Sequence, residues 1–131
     1  MKQIKTANAL ACEYIAMGSN NKQTLVNVYP GDIIVREFPA QFLLAFYIEI
    51  LPDPDMPHLI KFQVLQNKRL KGELAADFEF EPGKLALIII PQLPFSIAKN
   101  TTVRVVAECA GYQRTTLLKR TITVGEIPTF G

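Results

Sequence analysis

Apolar and polar residues alternate along much of this chain with a period of two, the spacing of strands that bury one face and wet the other. Across residues 73–81, Leu74, Ala76, Phe78 and Phe80 alternate with Glu73, Ala75, Asp77, Glu79 and Glu81. Across residues 101–110, Val103, Val105, Ala107 and Cys109 share one face, and Thr102, Arg104 and Glu108 lie on the other. In residues 59–66, Ile60, Phe62 and Val64 alternate with Lys61 and Gln63. Residues 115–124 carry the Thr, Ile and Val that strands favour. Two segments are apolar on both faces: residues 42–51, and residues 85–90 continuing through Pro91 to Leu93, Pro94 and Phe95. A strand with no wet face belongs at the centre of a sheet or at an interface. Residues 85–90 are also the main aggregation hazard, with Lys84 and Pro91 as flanking gatekeepers.

Turn formers separate these runs. They are Gly18-Ser19-Asn20-Asn21, Pro30-Gly31-Asp32, the proline-rich stretch from Pro52 to Pro57, Gln66-Asn67-Lys68, Glu81-Pro82-Gly83, Lys99-Asn100, Gly111 and Gly125. The first run has two readings. Residues 10–16 and 24–29 make a hairpin of strands around the turn, or Thr6 caps a helix over residues 7–17 that Gly18 stops. The hairpin is preferred because both runs flank a turn-rich loop. Residues 38–47 carry a weaker helical option, with Pro39 near its start. Eight strand-length runs at short spacing predict an all-β, antiparallel two-sheet sandwich of seven or eight strands, one domain over residues 1–131. A barrel is less favoured, since polar positions are too few to line a lumen.

Composition adds little to the pattern and excludes several functions. Hydrophobic residues make up 49% of the 131, enough for a core without metal or disulfide and with apolar surface to spare. Fourteen basic residues face twelve acidic ones along the whole chain, too even a balance to predict a nucleic-acid or membrane partner. Lys68, Arg69 and Lys71 read as a solvated turn. Cys12 and Cys109 have no metal-ligand spacing and lie in apolar runs, so buried free thiols are expected; a disulfide between them is the alternative. No export signal or membrane span is read, which makes the cytoplasm the expected compartment.

The order of segments adds a resemblance. Ala9-Leu10-Ala11-Cys12-Glu13-Tyr14 precedes a loop and then Gln23-Thr24-Leu25-Val26-Asn27-Val28-Tyr29. Phe38-Pro39 and a long apolar strand follow, and the end carries Leu93-Pro94-Phe95, a strand, Gly111 and a last strand. Over nearly its whole length the chain resembles a family of small bacterial β-sandwich proteins with no assigned function. The resemblance implies an immunoglobulin-like or C2-like fold and brings no catalytic residue with it.

Catalytic chemistry finds few residues to use. His58 is the sole histidine, so any serine or cysteine nucleophile system would need it, and it sits beside Pro57 without motif context. Asp53 and Asp55 are weak calcium candidates, because two aspartates fall short of the six to eight oxygens calcium takes. Glu73, Asp77, Glu79 and Glu81 form an acidic row read as a solvated face, with Arg114, Lys119 or Arg120 as ion-pair partners on a neighbouring strand. No glycine-rich phosphate loop occurs, and no cofactor is implied. The reading that remains is a non-catalytic binding or assembly module acting through a sheet face or edge. Its partner is a protein or a second copy, with Leu85, Leu87, Ile89, Leu93 and Phe95 as the candidate interface. The alternatives are a loop-end site for calcium or an anion, an enzyme using His58 with Asp53, Asp55 or Tyr112, and a structural component of a phage particle.

Overall fold

The computed structural model describes residues 2–81 and 83–126. Pro82 of the expected turn, and Met1 and residues 127–131 of the expected domain, lie outside them. The described residues form nine strands and no helix: β1 (Lys5–Met17), β2 (Gln23–Tyr29), β3 (Ile33–Val35), β4 (Ala40–Leu51), β5 (Leu59–Gln66), β6 (Arg69–Asp77), β7 (Ala86–Ile97), β8 (Thr101–Glu108) and β9 (Thr115–Val124). Asparagines in the left-handed region close two of the hairpins. Asn20 and Asn21, at φ 58° and 59°, turn β1 into β2, and Asn67, at φ 54°, turns β5 into β6. Asn67 also ties this turn to β8, since its Oδ1 accepts from the Thr102 N–H at 3.0 Å.

Two sheets result, ordered β2-β1-β4-β7 and β3-β9-β8-β5-β6. Between the named strands every pairing is antiparallel except β3 with β9, which is parallel. That corrects the purely antiparallel expectation, and β3 is the strand the expected seven or eight left out. Three residues between turn formers give too short a run for a period to show. Both helical options give way to strands, residues 7–17 within β1 and residues 40–47 within β4. Residues 5–12 pair with β4 and residues 11–17 with β2, so the chain finds two lateral partners that a helix would forgo.

One main core lies between the sheets. β4 contributes Leu44, Phe46, Ile48 and Ile50, and β7 contributes Ile88, Ile90, Phe95 and Ile97. Opposite them stand Ile60, Phe62 and Val64 of β5, Val103, Val105 and Ala107 of β8, and Ile122 of β9. Burying a side chain of this kind stabilises by about 1.5–3 kcal/mol. Phe46, Phe62 and Phe95 are the largest fully buried ones.

The doubly apolar segments have different places. β4 is central, between β1 and β7, whereas β7 is an edge strand. It is apolar on both sides because its inner residues enter the core, while its outer ones continue an apolar row across the sheet. Cys12 and Cys109 are free thiols, both buried. They cannot reach each other: Cys12 pairs with Ala45 on the outward face of one sheet, and Cys109 packs into the core between the sheets. Among the described residues, no helix is long and apolar enough to cross a membrane.

Candidate interaction surface

The outward face of the β2-β1-β4-β7 sheet is built from three cross-strand rows. Along β4, Ala45, Tyr47 and Glu49 alternate with the core residues Leu44, Phe46 and Ile48, so they point away from the core. Pairing extends each row: Asn8–Glu49–Leu87, Leu10–Tyr47–Ile89, and Val28–Cys12–Ala45. Glu49 is the one charged side chain in the three. Cys12, Ile15 and Ala45 form a second buried cluster on this face, with Leu25, Tyr47 and Ile89 packed against it. Val28 is 39% exposed, and Leu10, Tyr47, Leu87 and Ile89 are half-buried. Burial and the nearby Glu49 charge push the Tyr47 hydroxyl up from its ordinary value. Burial pushes up both the Cys12 and the Cys109 thiols, the opposite of what a reactive cysteine needs.

The outward face of the other sheet is wet. Lys61 lies 3.4 Å from Glu73 and 3.9 Å from Glu108, and Arg114 Nε lies 3.2 Å from Glu108. Glu73 therefore pairs with Lys61, and Arg114 goes to Glu108 rather than to the acidic row. Glu79 and Glu81 fall beyond β6, which ends at Asp77. Arg69 and Lys71, expected in a turn, belong to β6.

The expected interface residues divide between the two sides of β7. Leu87 and Ile89 stand on the outward face, and Leu85 precedes the strand at 47% exposure. Phe95 is only 1% exposed and stacks on Phe42, so it does not reach a partner, and Leu93 is half-buried with its inner side packed on the core. β1 leaves β4 after Cys12 while β4 stays paired with β7. An open groove of about 570 Å³ lies there, with Leu43, Phe42 and Pro94 in its wall and Glu13 as its only ionisable lining residue. Asn27 Nδ2 donates to Glu13 Oε2 at 2.9 Å and Gln92 Nε2 to the Glu13 carbonyl at 2.8 Å. The Tyr29 hydroxyl also donates to Glu13 Oε1 at 3.4 Å, and burial together with the Glu13 charge pushes the Tyr29 pKa up from its ordinary value.

The proline-rich loop is also occupied. Tyr112 donates its hydroxyl proton to Asp53 Oδ2 at 2.8 Å, and its pKa is pushed up to about 12 by burial and by the Asp53 hydrogen bond and charge. Lys5 lies 3.9 Å from Asp53, and Lys2 lies 3.7 Å from Asp55. Asp53 and Tyr112 are thus brought together as the enzyme alternative requires, whereas the His58 ring tilts against Phe80, 5.9 Å between centroids. Among the described residues no group of three or more His, Cys, Asp or Glu is placed to hold a metal ion. The outward row through Tyr47 was missed in the sequence because it needs the register of three strands. Compared with protein-family models, curated proteins and solved structures, the chain matches none.

Proposed function

We propose that this protein is a non-catalytic, protein-binding module on an immunoglobulin-like sandwich, and that it binds through the outward face of the β2-β1-β4-β7 sheet. The observation that carries the reading is the contrast between the two outward faces. One is laced with ion pairs, and the other presents three cross-strand rows with a single charge. A soluble domain rarely leaves a contiguous apolar patch of this kind without a use for it. The strands, 13, 7, 12 and 12 residues long, offer about 700 Å² at roughly 3.3 Å per residue and 4.8 Å between strands. A standard interface takes about 800 Å² from each partner. The immunoglobulin-like assignment draws on β4 beside β7 in one sheet and β9-β8-β5 in the other, the order of strands B–E and G-F-C.

The loop-end cation reading draws less support, because Asp53 and Asp55 already face lysines. A phage structural component is a special case of an assembly module and meets the same test. Native mass spectrometry of the protein isolated from its own host is compared with a Val28→Lys/Leu87→Lys variant, whose sites bracket the apolar rows. The expected result is a protein partner in fixed ratio on the wild type and its loss from the variant. The same partner on both, or a small-molecule adduct alone, overturns the reading.

A further inference from the structure

β6 and β7 are edge strands of different sheets, and their rims face each other along one side of the sandwich. At one end of this seam Phe78 packs edge-on against Phe62, with 6.1 Å between ring centroids. At the other, Gln66 Nε2 of β5 donates to the Ser96 carbonyl of β7 at 3.2 Å and ties the two sheets together. Between these ends lies an apolar slot of about 160 Å³, lined by Phe62, Val64, Leu74, Ile90, Pro91 and Leu93. Three features of the chain keep it open. Gly72 pairs with the core residue Val64, so it faces inward, and it brings no side chain. The β5–β6 register shifts at Lys71, the extra residue between Leu70 and Gly72. The β4–β7 register shifts at Pro91 and Gln92, between Ile90 and Leu93. A bulge bends its strand and breaks the ladder locally, and here Gly72 and Pro91 meet on opposite walls of the same slot.

We propose that this slot binds the hydrocarbon chain of a small carboxylic acid, with Lys71 holding the carboxylate at its mouth. An apolar cavity of about 150 Å³ walled by Leu, Ile and Phe stays dry and accepts benzene, so a slot of this size has room for about six carbons. Leu74, 37% exposed, leaves a way in from the rim. The Lys71 stem leaves β6 beside Gly72, and its ammonium rests 5.7 Å from the centre of the Phe95 ring, two residues along β7 from Leu93. That sets a cation beside the Leu93 end of the slot. Among the described residues Lys71 makes no ion pair. Glu73, the acidic residue at the slot, directs its carboxylate to Lys61 at 3.4 Å on the outward face of the sheet. An apolar slot with one unpaired cation at its end favours an anion with a short apolar chain over an uncharged or a cationic ligand, since the single polar group fixes the orientation and the walls take the chain.

The slot lies between the sheets, apart from the outward face proposed above, and stands independently of it. The test is a methyl NMR titration of the full chain with hexanoate, with 1-hexanol as the uncharged control. Hexanoate is expected to saturate one site per chain at millimolar concentration, with shifts confined to the methyls of Val64, Leu74, Ile90 and Leu93. Butanoate, two methylenes shorter, should bind about fifteenfold more weakly, at roughly fourfold per methylene. Lys71→Met keeps the stem and removes the charge, so it should weaken hexanoate about tenfold and leave 1-hexanol unchanged. Gly72→Ala sets a methyl 3.2 Å from Leu93 Cδ1 and crowds the slot, so it should weaken both ligands. The absence of a saturable shift at those methyls overturns the proposal. So does equal binding of hexanoate to the wild type and Lys71→Met, or a set of shifts centred on the groove beside Glu13.

Discussion

Replacing Tyr112 with Phe removes one oxygen from the join between the proline-rich loop and the turn after β8. The Tyr112 ring is 9% exposed, and its hydroxyl donates to Asp53 Oδ2 at 2.8 Å. Ionising it in place would bury a phenolate and set it beside the Asp53 and Asp55 carboxylates, so the folded chain holds the proton up to about pH 12 against 10 for an ordinary tyrosine. The unfolded chain releases it near pH 10. The contribution is therefore whole below pH 10 and is lost as pH climbs from 10 towards 12. At 1.36 kcal/mol per pH unit the gap corresponds to about 2.7 kcal/mol. The hydroxyl lies at a rim shared with Lys5 and Lys2, and solvent screening there reduces the figure to about 1–2 kcal/mol. Urea unfolding of wild type and Tyr112→Phe at steps from pH 8 to 12 measures it, since every other group titrates alike in both. The wild type should be more stable by about 1–2 kcal/mol at pH 8, with the advantage vanishing by about pH 12. A difference that stays constant over that range, or no difference at pH 8, refutes the coupling of Tyr112 to Asp53.

Phe46→Ala empties a central site between the sheets and should cost about 3–5 kcal/mol, a fall in Tm of roughly 10–20 °C; a fall under about 4 °C in calorimetry would mean that the site collapses freely. Cys12 and Cys109 should react with an aromatic disulfide reagent at pH 8 only as fast as the chain unfolds, given their burial; rapid labelling of the native protein would contradict it. Millimolar calcium should leave the melting temperature unchanged, because Asp53 and Asp55 face lysines; a rise would return the loop end to consideration.

Period-two runs were enough to read β5 and the strands of the β8–β9 hairpin, and residues 59–66 and 115–124 coincide with their strands, whereas β6 runs over 69–77 in place of the expected 73–81. The reading fails where a strand's environment is not periodic. β7 has no wet side, so it reads as a central or an interface strand, and it proves to be an edge. Its prolines at 91 and 94 were the available signal, because proline in a strand marks an edge. β3 has three residues and pairs in parallel with the far end of the chain, a contact that no local window contains. The candidate interface was half legible for the same reason. Leu87 and Ile89 belong to an apolar surface, but its centre, Tyr47 flanked by Leu10 and Ile89, exists only once β1, β4 and β7 are in register. Phe95 was misplaced because a residue shift at the irregularity near Phe46 and Ile90 returns it to the core side.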